Sequence, residues 1–592
     1  METGQWIIFG TLLLTLVLFI TGRWRYDIVA LIALLIVVLT GIIPVDRAFT
    51  GFSNSAVITV ATVFILSKAL QISGVVDVIG QWLSKLEGSF MIQLAALTGI
   101  ITIFSAFMNN VGALALLLPV AIQLARKKGV SPSMYLMPIA FASLLGGMTT
   151  LIGTPPNIII ASFREQTGAP AFGMFDFAPV GIGVAIVGLL YIVIFGWRLI
   201  PIRKGQSSVE ELFNIEKYVT EVRISANSKL NGKRLSEFHA FVDNDVMIIG
   251  LVRGKERRLA PSPQTIFSTN DVLILTIDTE NLENLISSAG VDLVGSEKIG
   301  ADELESDEIA LMEAVITANS MMIGGNARSL NIRKNYGVNL LAIARQGRRL
   351  RTRLDRIRFQ SGDVLLLQGY VDTLKEVLST LGCLPLANRG LRIGQPRRLI
   401  FSLLIFISAL LLSAFGVVSV QIAFIAASVV MVITKLISLK EAYESIDWSI
   451  IILLGAMIPV GEALETTGGA QLIANTILKS SHLMAPEFTL LIILVATMFL
   501  SDIVNNAAAV VLMAPIGIGI AQGLGVSVDP FLMAIAIGAS CAFLTPIGHQ
   551  SNTLVMGPGG YKFGDYWRMG LILEVIVVIV AIPLILLVWP LR

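Results

Sequence analysis

Apolar runs of about 18 residues or more recur along most of this chain, and a run of that length reads as a membrane-spanning helix. The expected fold is therefore an α-helical polytopic membrane protein. The first run, WIIFGTLLLTLVLFI from Trp6, lacks the basic flank and small-residue cleavage site of a secretory signal, so it is expected to stay as the first helix. Of 592 residues, 55% are hydrophobic and 14% charged, which leaves no room for a soluble exported protein. Cys383 falls in a polar region and Cys541 in an apolar one, so neither a disulfide framework nor a thiolate metal site is expected.

Charge is concentrated in one place. From about Arg203 to Arg398 the chain turns polar, with KERR at 255–258 and RQGRRLRTRLDRIR at 345–358, so an extramembrane insert splits the apolar chain into halves. The insert repeats itself: TEVRISANSKLNG at 220–232 matches MEAVITANSMMIG at 312–324, 92 residues later. NDVLILTIDTENLENLIS and GDVLLLQGYVDTLKEVLS match at the same separation, each a β-rich run followed by an amphipathic helix. Four parts follow: residues 1–204 and 391–592 as the membrane halves, and 205–300 and 301–390 as tandem α+β modules. The insert carries no membrane motif, so transport is expected to survive deletion of residues 206–388.

The halves also match each other. Ser105, Asn109, Asn110, Ala113, Leu116 and Pro119 recur 396 residues later as Ser501, Asn505, Asn506, Ala509, Leu512 and Pro515. LIGTPPN at 151–157 faces PIGHQSN at 546–552, with Gly153 on Gly548 and Asn157 on Asn552, 395 residues apart. Basic residues orient the halves: Arg23, Arg25, Arg126, Lys127, Lys128, Arg203 and Lys204 mark cytoplasmic loops, as do Lys435, Lys440, Lys562 and Arg568. Each half then holds three spans, a segment that enters and returns at the Asn pair, an interrupted span and a last span. An odd number of crossings makes the second half an inverted copy, with a cytoplasmic insert and both termini external.

An unpartnered buried amide costs roughly 2 to 7 kcal/mol, so asparagine pairs in lipid need a reason. Inverted repeats with broken helices place ion and substrate sites near the bilayer midplane, and Gly153, Pro155, Pro156, Pro546 and Gly548 supply the breaks. Sodium prefers oxygen ligands, and an Asn carbonyl, a Ser hydroxyl and freed main-chain carbonyls supply several without adding charge. Interhelical hydrogen bonding would explain one Asn pair. Duplication, with a serine four residues before and a glycine break about 43 residues after, favours an ion site.

The duplicated tips, GTPPN, PIGHQSN and GPGGYKFGDYWR together resemble the divalent anion:sodium symporter family, and the insert resembles tandem TrkA-C (RCK-C) modules. The resemblance covers nearly the whole chain. It implies a homodimer in the plasma or inner membrane, each protomer a scaffold and a transport part, moving anions with sodium by an elevator motion. By position, it implies one sodium site at Ser105, Asn109, Asn110 and Gly153 and another at Ser501, Asn505, Asn506 and Gly548. The anion is then expected between the tips, near Asn110, Thr154, Asn506 and His549. Family tips usually read Ser-Asn-Thr, whereas Val111 and Ala507 stand at the threonine positions here. That loss of hydroxyls favours a small oxyanion such as sulfate over a di- or tricarboxylate.

His549 fits either an anion contact or a structural donor, and Asp502 either an ion-binding carboxylate or a water-facing hairpin end. The basic run at 345–358 fits a solvated face or module interface, or a contact with anionic lipid or a nucleotide phosphate. A potassium channel or its regulatory subunit would explain the insert alone, but the chain has no TVGYG-like filter. An enzyme is not expected, since no intramembrane His, Glu or Cys cluster offers a nucleophile or metal ligands. No cofactor beyond the coupling sodium and no nucleic-acid partner is expected.

Overall fold

The computed structural model describes residues 3–21, 24–74, 88–203, 219–240, 396–469 and 485–592, and with short interruptions 247–293 and 309–386. The three boundaries drawn around and through the insert lie outside the described residues, as do Arg23, Lys204, Lys255, parts of the basic run and most of the helix expected after the first module's second β run.

Among the described residues, eight helices belong to the first half: α1 Thr3–Thr21, α2 Tyr26–Leu39, α3 Ser55–Ile72, α4 Phe90–Phe107, α5 Asn110–Lys128, α6 Ser133–Gly147, α7 Pro155–Gln166 and α8 Ala178–Ile194. Eight more described helices belong to the second: α10 Pro396–Ala414, α11 Val420–Ile433, α12 Trp448–Thr466, α13 Pro486–Ile503, α14 Asn506–Leu524, α15 Asp529–Ala539, α16 Gln550–Gly559 and α17 Tyr566–Val588. The repeat legible in the tips runs through the whole fold. The bounds of α4 and α5 fall 396 residues before those of α13 and α14 at both ends, and α1 and α2 precede α10 and α11 by 393 and 394. The halves interlock reciprocally, with α5 packed on α16 and α14 packed on α7. Arg164 at the end of α7 pairs with Asp529 at the start of α15 at 2.7 Å, each charge set where the helix dipole favours it.

Between the halves stand two five-stranded sheets. The first holds β1 Val219–Ile224, β2 Met247–Arg253, β3 Glu256–Leu259, β4 Val272–Thr276 and β5 Val291–Leu293, in the order β3-β2-β4-β1-β5. The second holds β6 Ile309–Ile316, β7 Asn339–Arg345, β8 Arg348–Arg349, β9 Val364–Tyr370 and β10 Cys383–Pro385, in the equivalent order. Even the bulge repeats, between Ile248 and Gly250 and again between Leu340 and Ala342. So does the ion pair that braces each sheet, Arg253 with Asp271 and Arg345 with Asp363, both at 2.7 Å. The Asp363 carboxylate hydrogen-bonds the Arg345 guanidinium and holds its pKa above the ordinary value.

Strand β6 shows why the second sheet is not a detached appendage. Its even positions Met312, Ala314 and Ile316 face Leu374, Leu378 and Leu381 of helix α9, Val371–Leu381, within the module. Its odd positions Leu311 and Val315 join the core of the membrane helices, as do Val364 and Leu366 of β9. That is period-two alternation with both faces buried. Glu313, on the same face, takes Arg126 at the end of α5 at 3.0 Å. Helix α16 closes against the turn before β9 so tightly that a Cβ at Gly557 would lie 1.9 Å from the Gly362 carbonyl oxygen. The dispensable insert expected from the sequence thus meets a physical obstacle: deletion of 206–388 would strip cover from α5 and α16.

In the module's own core, Cys383 lies 3.5 Å from Met322 Sδ and burial pushes its thiol up to about 12. The thiolate is the reactive form, so Cys383 stays protonated and inert until pH approaches that value. In the native protein at pH 8, iodoacetamide is expected to leave Cys383 unmodified and to label it on denaturation. Rapid native labelling, read by peptide mass, would contradict this packing.

Candidate functional site

Each asparagine pair divides its labour. Helix α4 ends at Phe107, Met108 is extended, and Asn109 caps α5 by accepting the Val111 N–H at 3.0 Å. Asn505 caps α14 in the same way, from Ala507 N–H at 2.9 Å. The capping side chains satisfy a helix-start donor that would otherwise be orphaned. The second asparagine of each pair is thereby free to face inward, and Asn110 and Asn506 are both buried.

Opposite each tip, a helix is broken. Helix α6 ends at Gly147, residues 148–154 are irregular, and Pro155 opens α7, where its missing N–H costs nothing. In the second half, residues 540–549 separate α15 from α16. Two groups outside the predicted set brace these breaks. Thr150 donates through its hydroxyl to the Ala106 carbonyl, and its counterpart Thr545 donates to the Asp502 carbonyl at 2.6 Å. Asn157 Nδ2 donates to Thr150 O at 2.8 Å, and Asn552 Nδ2 to Thr545 O at 3.1 Å and Ala542 O at 2.6 Å. Asn157 and Asn552 were visible in the sequence as a matched pair; their bracing role was not.

The first tip gathers oxygen. One terminal atom of the Asn110 amide lies 2.6 Å from Ser105 Oγ and 3.2 Å from the carbonyl oxygens of Ser143 and Gly153. Gly153 is confined there: a Cβ would fall 2.5 Å from the Gly147 carbonyl oxygen and 2.9 Å from that of Ser105. A Cβ on Gly147 would meet the Asn110 amide at 2.4 Å. Ser105, Asn110 and Gly153 are therefore brought together as expected, and Ser143, absent from the expectation, joins them. With the amide oxygen turned inward the four oxygens form a neutral nest that fits a small hard cation.

The second tip is arranged differently. Ser501 Oγ donates to Ala539 O, the counterpart of Ser143 O, at 2.5 Å. Asn506 Oδ1 accepts its own helix's Ala507 N–H at 2.8 Å, and its buried Nδ2 has no partner. Gly548 is packed like Gly153, since a Cβ would lie 2.4 Å from the Ser501 carbonyl oxygen. Asp502 accepts the Leu544 N–H at 2.9 Å, so it holds the break and does not face open water.

Between the tips, His549 caps α16 by accepting the Ser551 N–H on Nδ1 at 3.0 Å, and its Nε2 lies 3.4 Å from the other end of the Asn110 amide. The positive N-terminal ends of α5 and α16 thus meet, an arrangement suited to an anion. Thr154, at the start of α7, is buried with its hydroxyl unpartnered, another donor in want of a ligand. Val111 is half-buried and Ala507 fully buried; neither brings a polar side-chain atom. Among the described residues, no cluster of three His, Cys, Asp or Glu could hold a metal.

A family model described as citrate transporter matches residues 16–538 and 484–592. The chain belongs to the citrate transporter family. It is a multi-pass membrane transporter, and seven of its described helices are long and apolar enough to cross a bilayer. It is 32% identical to an uncharacterized transporter of Synechocystis sp., over 98% of this chain and 96% of that protein. To an uncharacterized transporter of Escherichia coli it is 30% identical, over 99% of both. Sodium/sulfate cotransporter 2 of Chlamydomonas reinhardtii is 24% identical over 55% of this chain and 38% of its own length. Membership in the citrate transporter family supports a permease of the divalent anion:sodium symporter type, the resemblance carried by the tips.

Proposed function

We propose that the protein moves a small divalent anion, sulfate foremost, into the cell together with sodium. The observation that carries this reading is the oxygen nest of Ser105, Asn110, Ser143 and Gly153, set beside the facing helix N-termini of α5 and α16. The nest suits sodium; the helix ends, Asn110, Thr154, Asn506 and His549 suit the anion. A second sodium would sit at Ser501, Asn506 and Gly548 once Ser501 Oγ turns from Ala539 O. Asn109 and Asn505 serve these sites by fixing where α5 and α14 begin.

A relative named sodium/sulfate cotransporter favours sulfate, while the family's description favours a tricarboxylate such as citrate. The decisive experiment is uptake and counterflow of labelled sulfate in proteoliposomes, with and without a sodium gradient, in competition with succinate, citrate, thiosulfate and taurine. Sodium-dependent sulfate uptake supports the proposal. Uptake indifferent to sodium, or citrate uptake without sulfate competition, overturns its corresponding half.

Helices α4–α8 and α13–α17 would form the moving part of an elevator, against a scaffold of α1–α3 and α10–α12 through which two protomers associate. An apolar cavity of about 250 Å³ lies on that seam, between Leu70 of α3, Phe104 and Phe107 of α4, Leu116 of α5 and Phe406 and Leu410 of α10. The two sheet modules would be cytoplasmic TrkA-C units, the second riding on the moving part and open to a small regulatory ligand.

Selectivity should follow the tip hydroxyls. Val111→Thr with Ala507→Thr is expected to tighten succinate competition a few-fold to tenfold per restored hydrogen bond, at about 0.5 to 1.5 kcal/mol each. Ala507→Ser covers the case in which the fully buried position rejects a threonine. A folded, sulfate-transporting variant with unchanged succinate competition would remove the tip hydroxyls from the account.

A further inference from the structure

We propose that a half-turn of the Asn110 side-chain amide, between the oxygen nest and His549, couples the cation to the anion; the inference rests on the sodium-coupled reading above. The two ends of an amide are told apart by their surroundings. The inner end of Asn110 faces the Ser143 and Gly153 carbonyls at 3.2 Å, and carbonyls only accept. Without a cation, the inner atom must be Nδ2, donating to both. With sodium in the nest, it must be Oδ1.

The outer end then decides what the anion meets. His549 Nδ1 accepts the Ser551 N–H at 3.0 Å, so Nδ1 carries no proton and Nε2 carries it. Nε2–H is a donor pointing at the outer end of Asn110, 3.4 Å away. In the cation-free arrangement Oδ1 lies outward and accepts that hydrogen, so every group is satisfied internally. Sodium reverses the amide and puts Nδ2–H beside Nε2–H. Two donors cannot satisfy each other, and an oxyanion oxygen is the acceptor that both require.

Sodium therefore creates the anion's donor pair, and by linkage the anion tightens sodium by the same factor. The device is one-sided. Thr154 holds the place of His549 opposite the second tip, and Asn506 Oδ1 is already engaged with Ala507 N–H. His549 is on this account a positioning residue for the cation and a direct donor to the anion.

The test is sodium binding to purified, reconstituted protein, titrated with and without sulfate, succinate or citrate. In the parent, the accepted anion should tighten sodium about tenfold or more. His549→Ala should still bind sodium, with that factor falling toward one. His549→Gln, which can present an N–H from a side chain of similar reach, should restore part of it. Equal coupling in the parent and His549→Ala overturns the inference alone. No sodium binding, or no coupling to any of the three anions in the parent, overturns the proposed function with it.

A measurement without any variant covers the case in which these substitutions unfold the protein. The chain has three histidines, so ¹⁵N-histidine spectra are simple enough to follow one ring. Sodium alone, with no anion, should shift the His549 Nε2 resonance as its acceptor turns away, and anion should shift it back. A resonance indifferent to sodium rejects the amide reversal.

Discussion

Alanine at Asn110 is expected to abolish sodium-driven uptake while leaving the fold in place. The substitution removes the inward amide from the nest, and a group that meets a charge directly contributes about 1.5 to 3 kcal/mol, or roughly tenfold to more than a hundredfold in affinity. The helix start survives, because Asn109 and not Asn110 caps α5. Asn506→Ala makes the sharper case. Its Nδ2 is buried without a partner, so deletion relieves an unsatisfied donor and should not lower the melting temperature. Loss of uptake at unchanged stability would then be a loss of function alone. Parent-like uptake in both variants would remove the tips from the sodium sites.

The second large effect is expected far from the tips. Gly557→Ala drives a methyl group to 1.9 Å from the Gly362 carbonyl oxygen, a distance no packing tolerates without backbone movement. Neither neighbour can yield cheaply: the atoms met at Gly362 are its main-chain carbonyl, which cannot rotate aside as a side chain would, and Val364 stands 3.2 Å from the same methyl position. Overpacking of this kind typically costs about 1 to 3 kcal/mol. The second sheet should lift from α16, protease should cut the insert faster, and uptake should fall, since α16 begins at the break that carries His549. Deletion of residues 206–388 should fail for the same reason. Gly112→Ala, which lies in α5 and meets nothing within 4 Å, is the matched control and should not lower the melting temperature. Parent-like melting and proteolysis in Gly557→Ala would mean that the sheet is not seated on α16 as described.

The proposed site was legible in the sequence to the extent that its parts are local. An asparagine pair between two apolar helices, a serine one turn earlier and a glycine-proline break each announce a backbone that stops and restarts, and the structure has those breaks where the residues put them. Ser143 was invisible because it contributes a main-chain carbonyl from inside an apolar helix, which no side-chain pattern signals. Asn109 and Asn505 read like their neighbours in sequence, yet one position along a helix start separates a capping side chain from an inward one.

The sequence by itself determined the solvent, the duplication of one half in the other and of one module in the next, and the residues at which helices break. Those are consequences of hydropathy, spacing and backbone chemistry, which act over a few residues. Only the tertiary structure decided that Asn110 meets His549 across 439 positions, that the two tips are unequal, and that the second sheet shares a core with α5 and α16. The physical reason is that such contacts are set by how apolar faces fill one another's shape. Both faces of the sheet are largely apolar in the sequence, with Glu313 alone among the β6 positions charged, and nothing local says that this face is reserved for the membrane helices.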